Sequence, residues 1–81
     1  MKEKMKDILQ TIILNLVENK EEVQVNENIN EDIVTFEVKV SKEDMGKVIG
    51  KQGRIAKAIR TVMKSVAAKE NKKVSVDFIE N

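Results

Sequence analysis

Along the first 17 residues, Met5, Ile8, Leu9, Ile12, Ile13, Leu16 and Val17 recur at intervals of three and four. That spacing predicts an amphipathic helix with a broad apolar stripe. Leu14 falls on the far side of that helix, as an exposed leucine or a small contact point for another chain. Residues 19–22 break the pattern. Val23, Val25 and Ile29 then fit a period of two, which predicts a strand whose apolar face is interrupted by Glu27. Asn28, Asn30, Glu31 and Asp32 supply turn chemistry, and Val34, Phe36, Val38 and Val40 alternate with Thr35, Glu37 and Lys39 as a half-buried second strand. The two strands read as a hairpin. Ser41 followed three residues later by Asp44 reads as a helix start. Met45, Val48 and Ile49 give that short helix an apolar side, and Gly50 and Gly53 punctuate the chain. A second helix follows, with Ile55, Ile59, Val62, Met63 and Val66 as its predicted inner stripe. Asn71, which tolerates a left-handed conformation, stops it, and Val74, Val76 and Phe78 alternate as a last strand.

The order is α-β-β-α-α-β. The two-helix link between the second and third strands is long enough for a right-handed crossover joining parallel neighbours. Each strand has one apolar face, so the helices belong on one side of the sheet. The predicted fold class is α+β, a three-stranded mixed sheet with helices packed on one face. At 81 residues the chain is a single domain, with a helix and hairpin over 1–40 and helix, glycine turn, helix and strand over 41–81.

Composition narrows the chemistry. The chain has no cysteine and no histidine, which excludes disulfides, thiol nucleophiles, Ser–His–Asp triads and nearly every transition-metal site. Adjacent acids such as Glu21/Glu22 and Glu43/Asp44 point in different directions, so no catalytic residue, metal or cofactor is assigned. No apolar run approaches the roughly 20 residues needed to cross a bilayer. The N-terminal stretch interleaves charges with its apolar residues, unlike a secretory signal. A cytoplasmic location without membrane contact is expected.

The net charge of +1 conceals an asymmetry. Residues 1–45 carry six basic and eleven acidic side chains, whereas residues 46–81 carry nine and three. From Gly46 to Lys69 there are seven basic residues and no acid. Such a one-signed segment either solvates a helix face or presents a local field to a polyanion.

The run Gly46-Lys47-Val48-Ile49-Gly50-Lys51-Gln52-Gly53-Arg54 bears on that choice, although taken alone it also reads as a plain helix–turn–helix corner with Gly50 as its stop and Gly53 as a permissive start. Gly50 and Gly53 bracket two long polar residues, and glycine lets another backbone approach closely. The amides that open the following helix lack intrahelical acceptors and carry the positive end of its dipole, so they suit phosphate oxygens. Lys47, Lys51 and Arg54 add charge around them. Helical spacing places Arg54, Lys57, Arg60, Thr61 and Lys64 on one ridge that begins at the loop. The spacing fits neither a P-loop nor a dinucleotide fingerprint.

Val48-Ile49-Gly50-Lys51-Gln52-Gly53, with Ile55 and Ile59 beyond it, resembles the signature of the K-homology (KH) family. The element order resembles the type II KH arrangement of bacterial proteins, and a free-standing domain of this size is similar to the small bacterial single-KH-domain RNA-binding proteins. The resemblance implies that Gly50, Lys51, Gln52 and Gly53 clamp the backbone of about four nucleotides of single-stranded RNA. Lys47, Arg54 and Lys57 then supply positive charge, Val48 and Ile49 lie near the base groove, and Val38 or Val40 helps to form its far wall; by apolar spacing alone these four valine and isoleucine positions read as ordinary core. It further implies a non-catalytic RNA chaperone that pairs with itself or with a larger KH-containing protein of the Jag/KhpB type, in cell elongation and envelope homeostasis. By the same analogy the second KH helix and its glycine loop are the expected dimer contacts, and pairing there would compete with RNA or reshape its groove. With no Tyr or Trp there is no stacking platform, so base selection rests on groove shape and edge hydrogen bonds. The alternative reading is a protein-interaction adaptor that keeps the fold without nucleic acid; the acid-free stretch argues for the polyanion.

Overall fold

The computed structural model describes residues 4–81; the first three positions of the predicted 1–81 domain lie outside the described residues. The chain runs α1 (Met5–Leu14), β1 (Gln24–Asn30), β2 (Ile33–Val40), α2 (Lys42–Ile49), α3 (Arg54–Lys69) and β3 (Lys73–Glu80), with short 3-10 turns at Lys20–Glu22 and Lys51–Gly53. This is the α-β-β-α-α-β order read from the periodicity.

The sheet order is β1-β2-β3, with β1 antiparallel and β3 parallel to β2. The hairpin closes through Glu31 and Asp32, with Asn30 opposite Ile33 and Glu31 at a φ of 56°. Val34, Phe36, Val38 and Val40 are fully buried, as a strand with one wet face requires. Leu9 and Ile13 of α1, Val48 of α2 and Met63 of α3 close over them in one apolar cluster. Glu27 does sit on the helix-covered face, opposite Phe36, and stays exposed because β1 is an edge strand.

Three local readings shift. The first helix ends at Leu14, and Leu16 and Val17 follow it in a turn closed by their amides onto the Ile13 carbonyl. Leu14 is half-buried rather than exposed. The third difference matters more. The buried side of α3 is Ala56, Ile59, Met63 and Ala67, while Ile55 and Val62, placed on the inner stripe by their size, remain 36% and 44% exposed. Two small alanines let α3 lie close to its neighbours, and this turns the helix by roughly a sixth of a revolution from the expected stripe.

Ser41 caps α2 as read from the sequence, its Oγ accepting the Asp44 amide at 3.2 Å. Asn71 takes the left-handed conformation, φ 58°, that ends α3. The Ala67 carbonyl there accepts both the Glu70 and the Lys72 amide, each at 2.9 Å. Among the described residues no helix is long and apolar enough to cross a membrane.

Candidate nucleic-acid interface

The glycine turn owes its shape to Gly50. Its amide closes α2 onto the Gly46 carbonyl at 2.9 Å, and its backbone then takes φ 73°, ψ 179°, a region open essentially to glycine alone. A Cβ there would also meet the Ile55 side chain at 2.6 Å. Gln52 (φ 57°) and Gly53 (φ 74°, ψ 13°) are left-handed, and α3 begins immediately afterwards. Lys51 and Gln52 therefore project into solvent, both exposed, at the positive end of a 16-residue helix. The amides that open the Lys51–Gly53 turn have no acceptor within it.

On α3 three of the five cations keep to one flank. With 3.6 residues per turn, Lys57, Arg60 and Lys64 form a row on the side facing β3, with Arg54 and Thr61 beside it. Arg60 crosses to the strand: its Nε donates to the Val76 carbonyl at 3.0 Å, and its guanidinium carbon lies 5.4 Å from the centre of the Phe78 ring. Between helix and strand runs a groove of about 320 Å³ lined by Arg60, Lys64, Val74, Ser75, Val76 and Asp77. It continues toward Lys72 and Lys73 where α3 turns into β3.

β3 is the edge of the sheet. The Lys73 and Asn81 amides donate to carbonyls of Asp32 and Val40, at 2.8 and 2.9 Å, on the β2 side. Because backbone groups alternate along a strand, those of Val74, Val76 and Phe78 face outward toward the groove. The far wall is thus β3. Val38 and Val40, expected there, are fully buried in the middle strand.

The predicted site residues divide accordingly. Gly50, Lys51, Gln52, Gly53, Arg54 and Lys57 share one continuous surface. Ile49 is half-buried beside the turn, whereas Val48 is fully buried and shapes the site only by packing α2 into the core. Lys47 is held elsewhere: its Nζ lies 2.7 Å from the Glu18 carboxylate and 3.6 Å from that of Asp44. Glu18 is the foremost cause that raises its pKa. The sequence reading missed the β3 edge and the Lys72–Lys73 extension, and Phe78, on the apolar face of the last strand, is only half-buried beneath Arg60. The regular spacing of Arg60 and Lys64 after Arg54 and Lys57 was the available signal for the first part of the groove.

Asp44 anchors the arrangement from behind. Its carboxylate is 1% exposed and accepts the Glu18 and Asn19 amides at 3.1 and 2.8 Å and the Ser41 hydroxyl at 3.1 Å. Burial pushes its pKa up, but the two backbone amides, Ser41 and the Asn19 side chain outweigh that and hold it at about 2, against an ordinary 3.8. The start of α2, and with it the glycine turn at its end, is thereby tied to the chain leaving α1.

A second surface lies on the other flank of α3. Ile55, Ala58 and Val62 with Ile12 and Leu16 line a shallow, almost wholly apolar depression of about 380 Å³, with Arg54 at its rim.

Comparison with known proteins gives a consistent picture. The family model described as KhpA/KhpB, KH domain, matches residues 6–78. RNA-binding protein KhpA of Clostridium perfringens and that of Clostridium acetobutylicum are each 60% identical to this chain over 75 residues, which is 93% of this chain and all of theirs. RNA-binding protein KhpA of Listeria monocytogenes is 45% identical over 76 residues, 94% of this chain and all of the relative. Among solved structures, Era in complex with MgGDPNP and nucleotides 1506-1542 of 16S ribosomal RNA shares the fold with a TM-score of 0.62 at 17% identity. The match covers 91% of this chain and 28% of that one.

Proposed function

The chain belongs to the KhpA/KhpB KH-domain family, and from that premise we propose that it binds single-stranded RNA, without catalysis, through the Gly50–Gly53 turn and the groove between α3 and β3. One observation carries the reading: an exposed glycine turn opens onto α3, whose Lys57, Arg60 and Lys64 lie on a single flank, the last two bordering a groove with a free strand edge as its far wall. Phosphates would meet the amides around Lys51 and Gln52 and the side chains of Lys51, Arg54 and Lys57. Bases would lie in the groove against Val74 and Val76. KH domains clamp about four nucleotides in this way.

A site with so few phosphate contacts binds weakly and with steep salt dependence. Two joined sites gain effective concentration, and the apolar face of Ile12, Leu16, Ile55, Ala58 and Val62 is the surface that would join them. Its occupant in this reading is a second copy of the chain, or the KH domain of a larger protein of the Jag/KhpB type that presents the same face. A cytoplasmic RNA chaperone acting in cell elongation and envelope homeostasis is the role in which such pairing would serve.

Fluorescence anisotropy with a labelled single-stranded RNA, at low and high salt, tests the site. Lys51→Asp with Gln52→Asp is expected to lower affinity more than tenfold in a chain that keeps its circular dichroism. Unchanged affinity in the folded double variant would refute the assignment of the turn. No binding by the natural chain at low salt would instead favour the protein-interaction adaptor.

A further inference from the structure

Arg60 differs from the other cations on its flank. Lys57 and Lys64 end in mobile ammonium groups, but the Arg60 guanidinium is fixed at two points, by its Nε bond to the Val76 carbonyl and by its position over the Phe78 ring. Of its five N–H donors one is used. The remaining four form a planar fork on the groove wall, already oriented, so little side-chain entropy is lost when they bind. Asp77 lines the same groove from across the β3 edge, on the open face of the sheet beside Glu37, and among the described residues neither Arg60 nor Asp77 belongs to an ion pair.

Building on the RNA reading above, we infer that this groove selects guanine, with Arg60 and Asp77 as the residues that read the base. A base that satisfies both must offer adjacent acceptors to a guanidinium and adjacent donors to a carboxylate. Guanine does so with O6 and N7 on one edge and N1–H and N2–H on the next. Adenine places its N6 amine where the fork needs an acceptor. Uracil has neither adjacent pair, and cytosine lacks the adjacent donors. Val74, half-buried in the groove lining, supplies apolar contact for the ring. A fork of this kind on O6 and N7 is the commonest specific arginine–base contact, with discrimination of about five- to 150-fold.

The test uses the full chain and uridine pentamers carrying a single central guanosine, adenosine or cytidine, followed by anisotropy at low salt. The central guanosine is expected to bind about tenfold tighter than the central adenosine. Arg60→Lys keeps the charge and removes the fork, so it should abolish the preference. Because Arg60 also holds β3, Asp77→Asn serves as a second variant that leaves the Val76 bond in place and should weaken the preference. Lys57→Gln should reduce binding of all three oligonucleotides by the same factor. Equal affinities for the three in the natural chain, a preference for cytidine, or a guanosine preference kept by both Arg60→Lys and Asp77→Asn would overturn the inference. Binding of none of them would overturn the RNA reading beneath it as well.

Discussion

Gly50→Ala isolates what holds the glycine turn in shape. Two costs are set by the geometry. The backbone at φ 73°, ψ 179° lies in a region that a residue with a Cβ occupies at about 1–3 kcal/mol. The added methyl would also stand 2.6 Å from Ile55 Cγ1 and 2.9 Å from its Cβ and Cδ1, and overpacking of this kind costs about 1–3 kcal/mol more. The expected loss is about 2–6 kcal/mol, a large share of the roughly 4–12 kcal/mol available to a domain of this length. Gly53→Ala is the internal control. It pays only the left-handed backbone cost of about 1–2 kcal/mol, because nothing lies within 4 Å of the new Cβ. Urea denaturation followed by circular dichroism measures both. The two costs of Gly50→Ala separate in part in a double-mutant cycle with Ile55→Ala, which removes the Cγ1 and Cδ1 contacts and leaves the Cβ contact and the backbone strain, so a coupling of about 1–2 kcal/mol in the double variant's favour is expected. Equal losses for the two glycine variants, or no coupling with Ile55, would refute the account.

Other expectations follow from the same contacts. Asp44 is held at about 2 when folded against 3.8 as its ordinary value, so its stabilisation is complete above about pH 4 and is lost as pH falls toward 2. Asp44→Asn should lower the melting temperature at pH 7 and flatten its fall between pH 4 and 2, which thermal scans across that range will show. Val62→Glu places a charge on the exposed apolar flank of α3 and should abolish self-association, read by sedimentation velocity, while leaving the melting temperature of the monomer within a few degrees. Glu18→Gln removes the close partner of Lys47 and should raise RNA affinity about two- to threefold at low salt, with the gain vanishing at high salt by anisotropy.

Much of this was legible in the chain because periodicity is a local property. The alternation from Val34 to Val40 placed β2 and its buried face, and the Ser41–Asp44 spacing placed the start of α2. The two-helix link identified the crossover that makes β3 parallel to β2. What failed depended on partners distant in sequence. Ile55 and Val62 looked interior because they are large, whereas Ala56 and Ala67, which are buried, carry little hydrophobic signal. Val38 and Val40 could not be excluded as a groove wall until the strand order showed them in the middle of the sheet. Lys47 belongs by its position to the basic run, and only the path of the chain after α1 brings Glu18 against it.

The two exposed flanks of α3 point nearly opposite ways, since the mean directions of Ile55, Ala58, Val62 and of Lys57, Arg60, Lys64 differ by roughly 160° around the helix axis. Two copies joined through their apolar flanks would therefore stand back to back, with their grooves opening outward and neither obstructed by the other. Pairing would then leave the groove between α3 and β3 open and would touch the proposed RNA surface only at Arg54, which rims the apolar face, a narrower overlap than the family analogy suggested. Each pair could hold two strands, or two distant stretches of one, on opposite sides of a small rigid body. Such a bivalent particle bridges ligands at matched concentrations, and an excess of RNA would dissolve the bridges by filling every groove separately.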